Sequence, residues 1–263
     1  MKIGIVIPLK AKKVSSRWEI VSNSLERTVA SVLNQSNKSY RVSVIGHDCP
    51  DFLKGLVQDG QEIFCKFDEL EPPKVIENDE MNNQLKYEVD RCSKILKGIM
   101  HLDNVDEDIT HWFALDADDL VHSSFVEYLL DAGDYDGFII DKGYFYYERW
   151  KIFNENDEFS SYCGSSSILS KRLFQLPDEI DEKSHRKIPF GDVSHVNMRE
   201  HLEAEGLSYH VPIARLVTYV RGHGENISDG YLTNVLKVLR RHVAMLVRSK
   251  RIDKKEQKRL GVI

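Results

Sequence analysis

The 263-residue chain has few cysteines, and those it has lie far from one another. Its four cysteines form no Cys-x-x-Cys pair, which argues against a disulfide scaffold and against a zinc ribbon. Widely spaced single thiols are typical of proteins from a reducing compartment. With only 15 glycines and 7 prolines, the composition also excludes collagen-like and low-complexity proteins. We therefore expect a folded protein with a buried core.

Long apolar runs are missing as well. No stretch of the sequence approaches the roughly 20 apolar residues that a bilayer-spanning helix needs. The apolar run at 1–9 is too short for a signal peptide, and it continues into basic residues rather than a cleavage site. These features predict a cytoplasmic protein.

Positive charge is concentrated in one segment, although the net charge of the chain is −6. Residues 231–263 include ten Lys or Arg and two acidic residues, so the rest of the chain is strongly acidic. An acidic body argues against nucleic-acid binding. The basic segment contains a predicted amphipathic helix over 229–249, and it has two interpretations. Either the helix covers the core of the protein, or it makes peripheral contact with the inner face of an anionic membrane.

Strand and helix patterns alternate along the first half of the chain, which is typical of an α/β fold. Ile3–Ile7 is a continuous apolar run, as expected for a strand that is buried on both faces of a parallel sheet, and Val42–Ile45 predicts a second buried strand. Apolar residues at helical spacing predict helices over 18–33 and 81–101. His111–Leu115 predicts the next strand.

The second half of the chain is less regular. Its patterns predict an aromatic strand near 138–150, a polar loop over 154–161 and a helix over 193–206. The rings of the aromatic strand either pack into the core or stack on the faces of sugars, and the first interpretation is favoured.

An acidic turn, Asp116–Asp119, directly follows the strand predicted at His111–Leu115. Asp-x-Asp occurs three times in the chain, but only this copy follows an apolar strand, and ligands of open α/β sheets bind at the carboxyl ends of strands. One carboxylate can hold a ribose and another a divalent cation, because hard oxygen ligands suit Mg²⁺ or Mn²⁺ bridging a diphosphate. The alternative is a capped turn whose acids stabilise the following helix, and the turn alone favours neither.

Two further segments carry candidate chemistry. The loop 219–228 places His223 between glycines, where its imidazole can complete a metal shell and Arg221 can oppose phosphate charge. The alternative is an ordinary loop that leads into the last helix. Asp192, just before the helix predicted over 193–206, is either a general base or an ordinary acid at a helix N-terminus.

The order of these segments resembles that of the GT-A glycosyltransferases, and most closely the inverting family 2 type. The resemblance covers about the first 230 residues and rests on short motifs in the same order. These motifs are Ile5–Leu9, Ser31–Ser36, Asp116–Asp119, Cys163–Ser167, Asp192 and His223–Ser228.

The resemblance implies a fold and an activity. The fold is a GT-A mixed sheet flanked by helices, with a C-terminal helical extension. The catalytic domain would span 1–228, with a nucleotide-binding half at 1–119 and an acceptor-binding half at 120–228, and 229–263 would form the basic helix and tail. The activity is metal-dependent transfer of a hexose-type sugar from a nucleotide-sugar, with a UDP-sugar favoured. A hydroxyl of a saccharide or lipid-linked acceptor would receive the sugar with inversion, in polysaccharide or glycoconjugate synthesis.

The resemblance also implies roles for single residues. Asp192 is the catalytic base, and Asp118 and His223 hold Mn²⁺ or Mg²⁺. The implied nucleotide-sugar contacts are Pro8, Leu9, Asp48, Lys94, Asp116, Ala117, Gly164 and Arg221. The chain departs from the family pattern where its second strand ends, since Gly46–Pro50 replaces an acidic pair followed by Gly and Ser.

Two other classes of protein share this general pattern. One is a sugar nucleotidyltransferase, but the chain lacks a glycine-rich loop with Arg or Lys after its first strand. The other is a non-catalytic domain that binds carbohydrate or nucleotide. Such a domain would not need Asp118, Asp192 and His223 together, so their joint presence argues against it.

Overall fold

The structure is a computed structural model that describes residues 1–76, 79–222, 249–250 and 252–262. His223 lies outside the described residues, as does the helix predicted over 229–249 apart from its last residue. The strands are β1 (Ile3–Pro8), β2 (Tyr40–Gly46), β3 (Val57–Gln58), β4 (Gln61–Glu62), β5 (Phe64–Lys66), β6 (His111–Ala114), β7 (Leu120–Val121), β8 (Gly137–Ile139), β9 (Gly143–Tyr147), β10 (Ile152–Asn156), β11 (Ser167–Ser170), β12 (Tyr209–His210), β13 (Val217–Arg221) and β14 (Ser249–Lys250). The helices are α1 (Trp18–Leu33), α2 (Glu80–Val105), α3 (Phe125–Ala132), α4 (Pro189–Asp192), α5 (Met198–Ala204) and α6 (Lys254–Arg259).

A seven-stranded sheet forms the centre of the molecule, with the strand order β12-β8-β11-β6-β1-β2-β5. The pairs among β6, β1, β2 and β5 are parallel, whereas β11 runs antiparallel to both of its neighbours, β6 and β8. The predicted α/β class, a mixed sheet with flanking helices, is therefore confirmed. Because β11 is reversed, its amino end lies beside the carboxyl end of β6.

Helices cover both faces of this sheet because side chains alternate between the faces along each strand. On one face, Ile5 of β1 belongs to the same core cluster as Leu25 of α1. On the other, Val6 shares a cluster with Leu96 of α2. The approach of α2 is so close that a Cβ atom at Gly98 would lie 2.3 Å from Cγ1 of Val6, and only glycine fits there.

A second sheet of five strands has the order β14-β10-β9-β13-β7. The prediction of a single aromatic strand near 138–150 is wrong, because the chain passes from one sheet to the other within this segment. Its first part is β8 in the seven-stranded sheet, and its second part is β9 in the five-stranded sheet. The rings of Tyr146 and Tyr147 are buried, which confirms the core interpretation for them, whereas Trp150 at the end of the segment is 42% exposed.

Two other predicted boundaries are corrected. The polar loop expected over 154–161 begins as strand β10, which pairs with β9, and Asn154 is buried there. The helix expected over 193–206 begins only at Met198, because His195–Asn197 form a 3₁₀ turn before it.

The described part of the basic tail packs against the body. Strand β14 pairs with β10, and the backbone N–H of Ser123 donates to the carbonyl of Arg259 over 2.8 Å. Leu260 is fully buried in a cluster with Leu120 and Phe153. None of the described helices combines the length and apolar character that a membrane span requires. Peripheral membrane contact by the rest of the basic segment stays a prediction.

Candidate active site

The candidate site lies where three neighbouring parallel strands end. β1 ends at Pro8, β2 at Gly46 and β6 at Ala114, and β1 pairs with both of the others. The first residues beyond each strand are therefore neighbours in space, and they include Leu9 and Asp116. This edge is where open α/β sheets bind their ligands.

The acidic turn is built around one buried carboxylate, Asp119, which is fully inaccessible to solvent. Its Oδ2 accepts hydrogen bonds from Ser165 Oγ at 2.7 Å and Cys163 Sγ at 3.1 Å, and its Oδ1 accepts one from the backbone N–H of Val220 at 3.3 Å. Burial raises the pKa of Asp119 well above its usual value, and the nearby carboxylates Asp118 and Asp116 raise it further. Asp119 thus ties three distant segments together rather than facing a ligand.

Ser165 reaches this turn because β11 is antiparallel. The β6–β11 register pairs Phe113 with Ile168, so the residues before β11 lie beside the residues after β6. The hydroxyl of Ser165 accepts a hydrogen bond from the backbone N–H of Asp116 at 2.9 Å while it donates to Asp119. One hydroxyl therefore holds both ends of the acidic turn.

Replacing Ser165 by alanine is expected to destabilise the protein by roughly 1–3 kcal/mol, because the N–H of Asp116 and the carboxylate of Asp119 both lose a buried partner. Thermal unfolding followed by circular dichroism measures this, and each kcal/mol lowers Tm by about 2–4 °C in a protein of this size. The matched control is Ser36→Ala, since the Ser36 hydroxyl donates to Glu127 at an exposed position. Equal Tm values for the two variants would contradict this role of Ser165.

Asp116 is engaged by a residue that the sequence analysis missed. Nε of Arg91, from α2, donates to Asp116 Oδ1 over 2.8 Å. A Cβ atom at Gly164 would lie 2.8 Å from Nη2 of Arg91 and 3.0 Å from Oδ2 of Asp116, so the glycine leaves room for this pair. The only sequence signal for Arg91 is its position one helical turn before Lys94, which was itself a candidate.

Lys94 lies under the end of β1. Its Nζ donates to the carbonyl of Leu9 at 2.9 Å and to Asp90 Oδ2 at 2.6 Å, and its side chain is 1% exposed. Burial lowers the pKa of Lys94, although the carboxylate of Asp90 acts in the opposite direction. The structure thus places Lys94 beside Leu9, with its amine bonded to protein groups. Whether Lys94 also meets a nucleotide stays a prediction.

Asp48 joins the same group from the end of β2. Its Oδ2 accepts a hydrogen bond from the backbone N–H of Lys12 at 2.8 Å. Pro8 is level with Ile45 in the β1–β2 register, and both are buried. The structure therefore brings together Pro8, Leu9, Asp48 and Lys94, which the sequence analysis grouped only by resemblance.

Ala117 lies within the acidic turn, and Arg221 lies next to the residue that binds Asp119. The carbonyl of Ala117 accepts a hydrogen bond from Thr28 Oγ1 at 3.0 Å, which anchors the turn to α1. Arg221 ends β13, directly after the residue that donates to Asp119, and its guanidinium lies over the rings of Phe145 and Tyr219 at 5.5 and 5.1 Å.

Asp192 lies on a separate segment that borders a cleft next to Arg91. It ends the short helix α4, where it is exposed, and its neighbours Gly191 and Val193 line the cleft. A Cβ atom at Gly191 would lie 2.2 Å from the backbone oxygen of His185, so only glycine allows this turn of the chain. The assignment of Asp192 as catalytic base stays a prediction.

The residues implied to hold a cation, Asp118 and His223, suit a cation site that is completed by substrate phosphates. Within the described residues, no group of three or more His, Cys, Asp or Glu side chains could hold a metal ion by itself. Mg²⁺ in nucleotide enzymes is commonly held by one or two carboxylates together with substrate phosphates. Asp118, in the turn beside Asp116, fits a cation that arrives with a diphosphate. His223, the other implied ligand, lies outside the described residues.

Comparisons with known proteins find similarity only to solved structures. No protein-family model matches this chain, and no curated protein matches its sequence. TarS 1–349 of S. aureus in complex with UDP-GlcNAc is 13% identical, with a TM-score of 0.48, and the match covers 99% of this chain and 70% of that one. The inositol-1-phosphate CTP transferase from T. maritima is 12% identical, with a TM-score of 0.43, over 88% of this chain and 94% of that one. These likenesses concern overall architecture and assign no substrate to this chain.

Proposed function

We propose that this protein is a metal-dependent glycosyltransferase that moves a sugar from a nucleotide-sugar, with a UDP-sugar favoured, to an acceptor hydroxyl. One observation carries the proposal. The residues that the resemblance assigns to the donor, Leu9, Asp48 and Asp116 among them, follow strands of one sheet at the same edge of it. The acceptor would be a saccharide or a lipid-linked sugar, and the product a polysaccharide or glycoconjugate.

The donor half of the site follows from the positions of these groups. Pro8, Leu9 and Asp48 would border the base, while Asp116 would bind the ribose or diphosphate side. Arg91 pairs with Asp116 in the described structure, so a ribose hydroxyl bound to Asp116 would share this ion pair. Arg221 would oppose the diphosphate charge from the end of β13.

Asp118, with His223, would hold Mn²⁺ or Mg²⁺ against the diphosphate. A divalent cation there stabilises the negative charge that develops on the departing nucleoside diphosphate. Asp192 would take the proton of the acceptor hydroxyl as that oxygen attacks the anomeric carbon from the face opposite the leaving group. A single displacement of this kind inverts the anomeric configuration.

The first test of this function is calorimetric titration of the protein with UDP, with and without Mn²⁺. We expect binding that strengthens with Mn²⁺, and we expect Asp118→Ala to weaken metal-dependent binding by about 10- to 100-fold, as for the loss of a charged partner. The matched control is Asp108→Ala, because Asp108 belongs to another Asp-x-Asp copy and is exposed.

The outcomes separate the candidate functions. If UDP does not bind, the same titration with GDP, dTDP and CMP identifies another nucleotide. If none of the four binds, the glycosyltransferase proposal is wrong and the non-catalytic alternative is favoured. If Asp108→Ala weakens binding as much as Asp118→Ala does, the metal assignment is wrong.

A further inference from the structure

A cleft beside Arg91 and Asp116 adjoins the donor half of the site. Its volume is about 480 Å³, which lies within the range of roughly 300–1,000 Å³ that is common for small-molecule sites. One wall is the first part of α2, and the other is formed by α4 and the turn that follows it. Gly164 lines the cleft and also borders Asp116, so the cleft opens onto the donor site.

The end of the cleft nearest Asp116 is polar. Arg91 and His195 line it, and Glu88 lies one turn earlier on α2. Burial lowers the pKa of His195 and the guanidinium of Arg91 lowers it further, while Asp116 and Glu88 act in the opposite direction. The lowered pKa favours the neutral imidazole, which can form a hydrogen bond with a hydroxyl group in either direction.

The other end of the cleft is lined mostly by apolar side chains, with Gln84 among them. Met81 and Leu85 are one turn apart on α2, so they share a face, and they are 74% and 60% exposed. Phe190, Val193 and Met198 line the opposite wall. Exposed apolar side chains that line a pocket are suited to an apolar part of a ligand.

The charge of the cleft excludes one class of acceptor. Among its described lining residues, Glu88 and Arg91 are the only acidic or basic side chains apart from His195. Arg91 is paired with Asp116. No unpaired cation among these residues is available for a phosphate or carboxylate, so a polyanionic acceptor does not fit.

We propose that this cleft binds the acceptor, and that the acceptor is an uncharged sugar joined to an apolar group. Its hydroxyl would lie at the polar end beside His195, and its alkyl or aryl group would lie along Met81 and Leu85. The inference rests on the proposed function for the transfer step, whereas binding of such a glycoside to the cleft does not depend on it.

The experiment compares hexyl and methyl β-D-glucoside, which differ only in the apolar group, and repeats the comparison with galactosides. Calorimetric titration without donor is expected to show binding of the hexyl glycoside that is at least about 10-fold tighter than that of the methyl glycoside, as for added methylenes in an apolar pocket. The double variant Met81→Gln/Leu85→Gln should lose this preference. Its binding of UDP should be unchanged.

The control is Ile213→Gln, which replaces an apolar side chain that is 78% exposed and does not line the cleft. Because all three side chains are exposed, none of these variants removes a core contact. Equal affinity for both glycosides in the wild type, or a preference that the double variant keeps, would overturn the proposal. Tighter binding of a glycerol-phosphate glycoside than of the hexyl glycoside would also overturn the proposal. Binding of hexyl glycoside without any nucleotide binding would refute the proposed function and leave the cleft assignment standing.

Discussion

Replacing Asp192 by asparagine is expected to lower kcat for sugar transfer by about 10²- to 10⁴-fold, the usual contribution of a positioned general base. The amide has the shape of the carboxylate but cannot accept the proton of the acceptor hydroxyl. Because Asp192 is exposed on α4, the change should leave both the fold and the binding of UDP intact. Initial rates with a UDP-sugar and an alkyl glycoside, together with the UDP titration, separate the two effects.

The control for Asp192→Asn is Glu200→Gln, which neutralises another exposed carboxylate, on the next helix, α5. We expect this variant to have the wild-type rate. A rate for Asp192→Asn equal to that of the control would show that the base is elsewhere. His195, which lines the same cleft two residues beyond Val193, would then be the first residue to test.

Replacing Lys94 by methionine is expected to reduce the free energy of unfolding by about 3–5 kcal/mol, because it leaves a largely buried carboxylate without its cation. That carboxylate is Asp90, whose Oδ2 accepts from Lys94 and whose Oδ1 is buried with no hydrogen-bond partner among the described residues. The carbonyl of Leu9 would lose its partner as well. Urea denaturation measures the loss.

Two further variants distinguish this explanation from a simple loss of charge. Lys54→Met breaks the exposed pair of Lys54 and Asp51, which are 65% and 93% exposed, and should change stability by less than about 1 kcal/mol. The double variant Lys94→Met/Asp90→Leu should be more stable than Lys94→Met, since no buried charge is left unpaired. If the double variant is the less stable of the two, Asp90 does not cause the loss.

Much of the central sheet could be predicted from local patterns. Ile3–Pro8 contains a continuous apolar run, and Tyr40–Gly46 contains Val42, Val44 and Ile45; such short apolar segments are stable only where both faces of a strand are covered. The helical spacing of α1 and α2 was also clear from the sequence, and so was the acidic turn after β6. These features depend on residues that are close together in the chain, which is why pattern reasoning finds them.

The second half of the chain could not be predicted as well, because its elements are short and depend on partners far away in the sequence. The segment around 140–142 changes from one sheet to the other, and no local pattern marks that change. Strand β10 contains polar residues, and their pattern predicts a loop. They are held by Arg215, whose Nη1 donates to the carbonyl of Asn156 over 2.8 Å.

The features of the candidate site also divide into those that the sequence predicts and those that depend on tertiary packing. The sequence by itself determined the fold class and the position of the acidic turn at a strand end, because apolar periodicity and chain order are local properties. Only the tertiary structure decided that Arg91 pairs with Asp116, that Ser165 joins the two ends of the turn, and that Lys94 is enclosed beneath Leu9. The physical reason is that these contacts follow from the reversed direction of β11 and the close approach of α2 to β1, which only packing specifies.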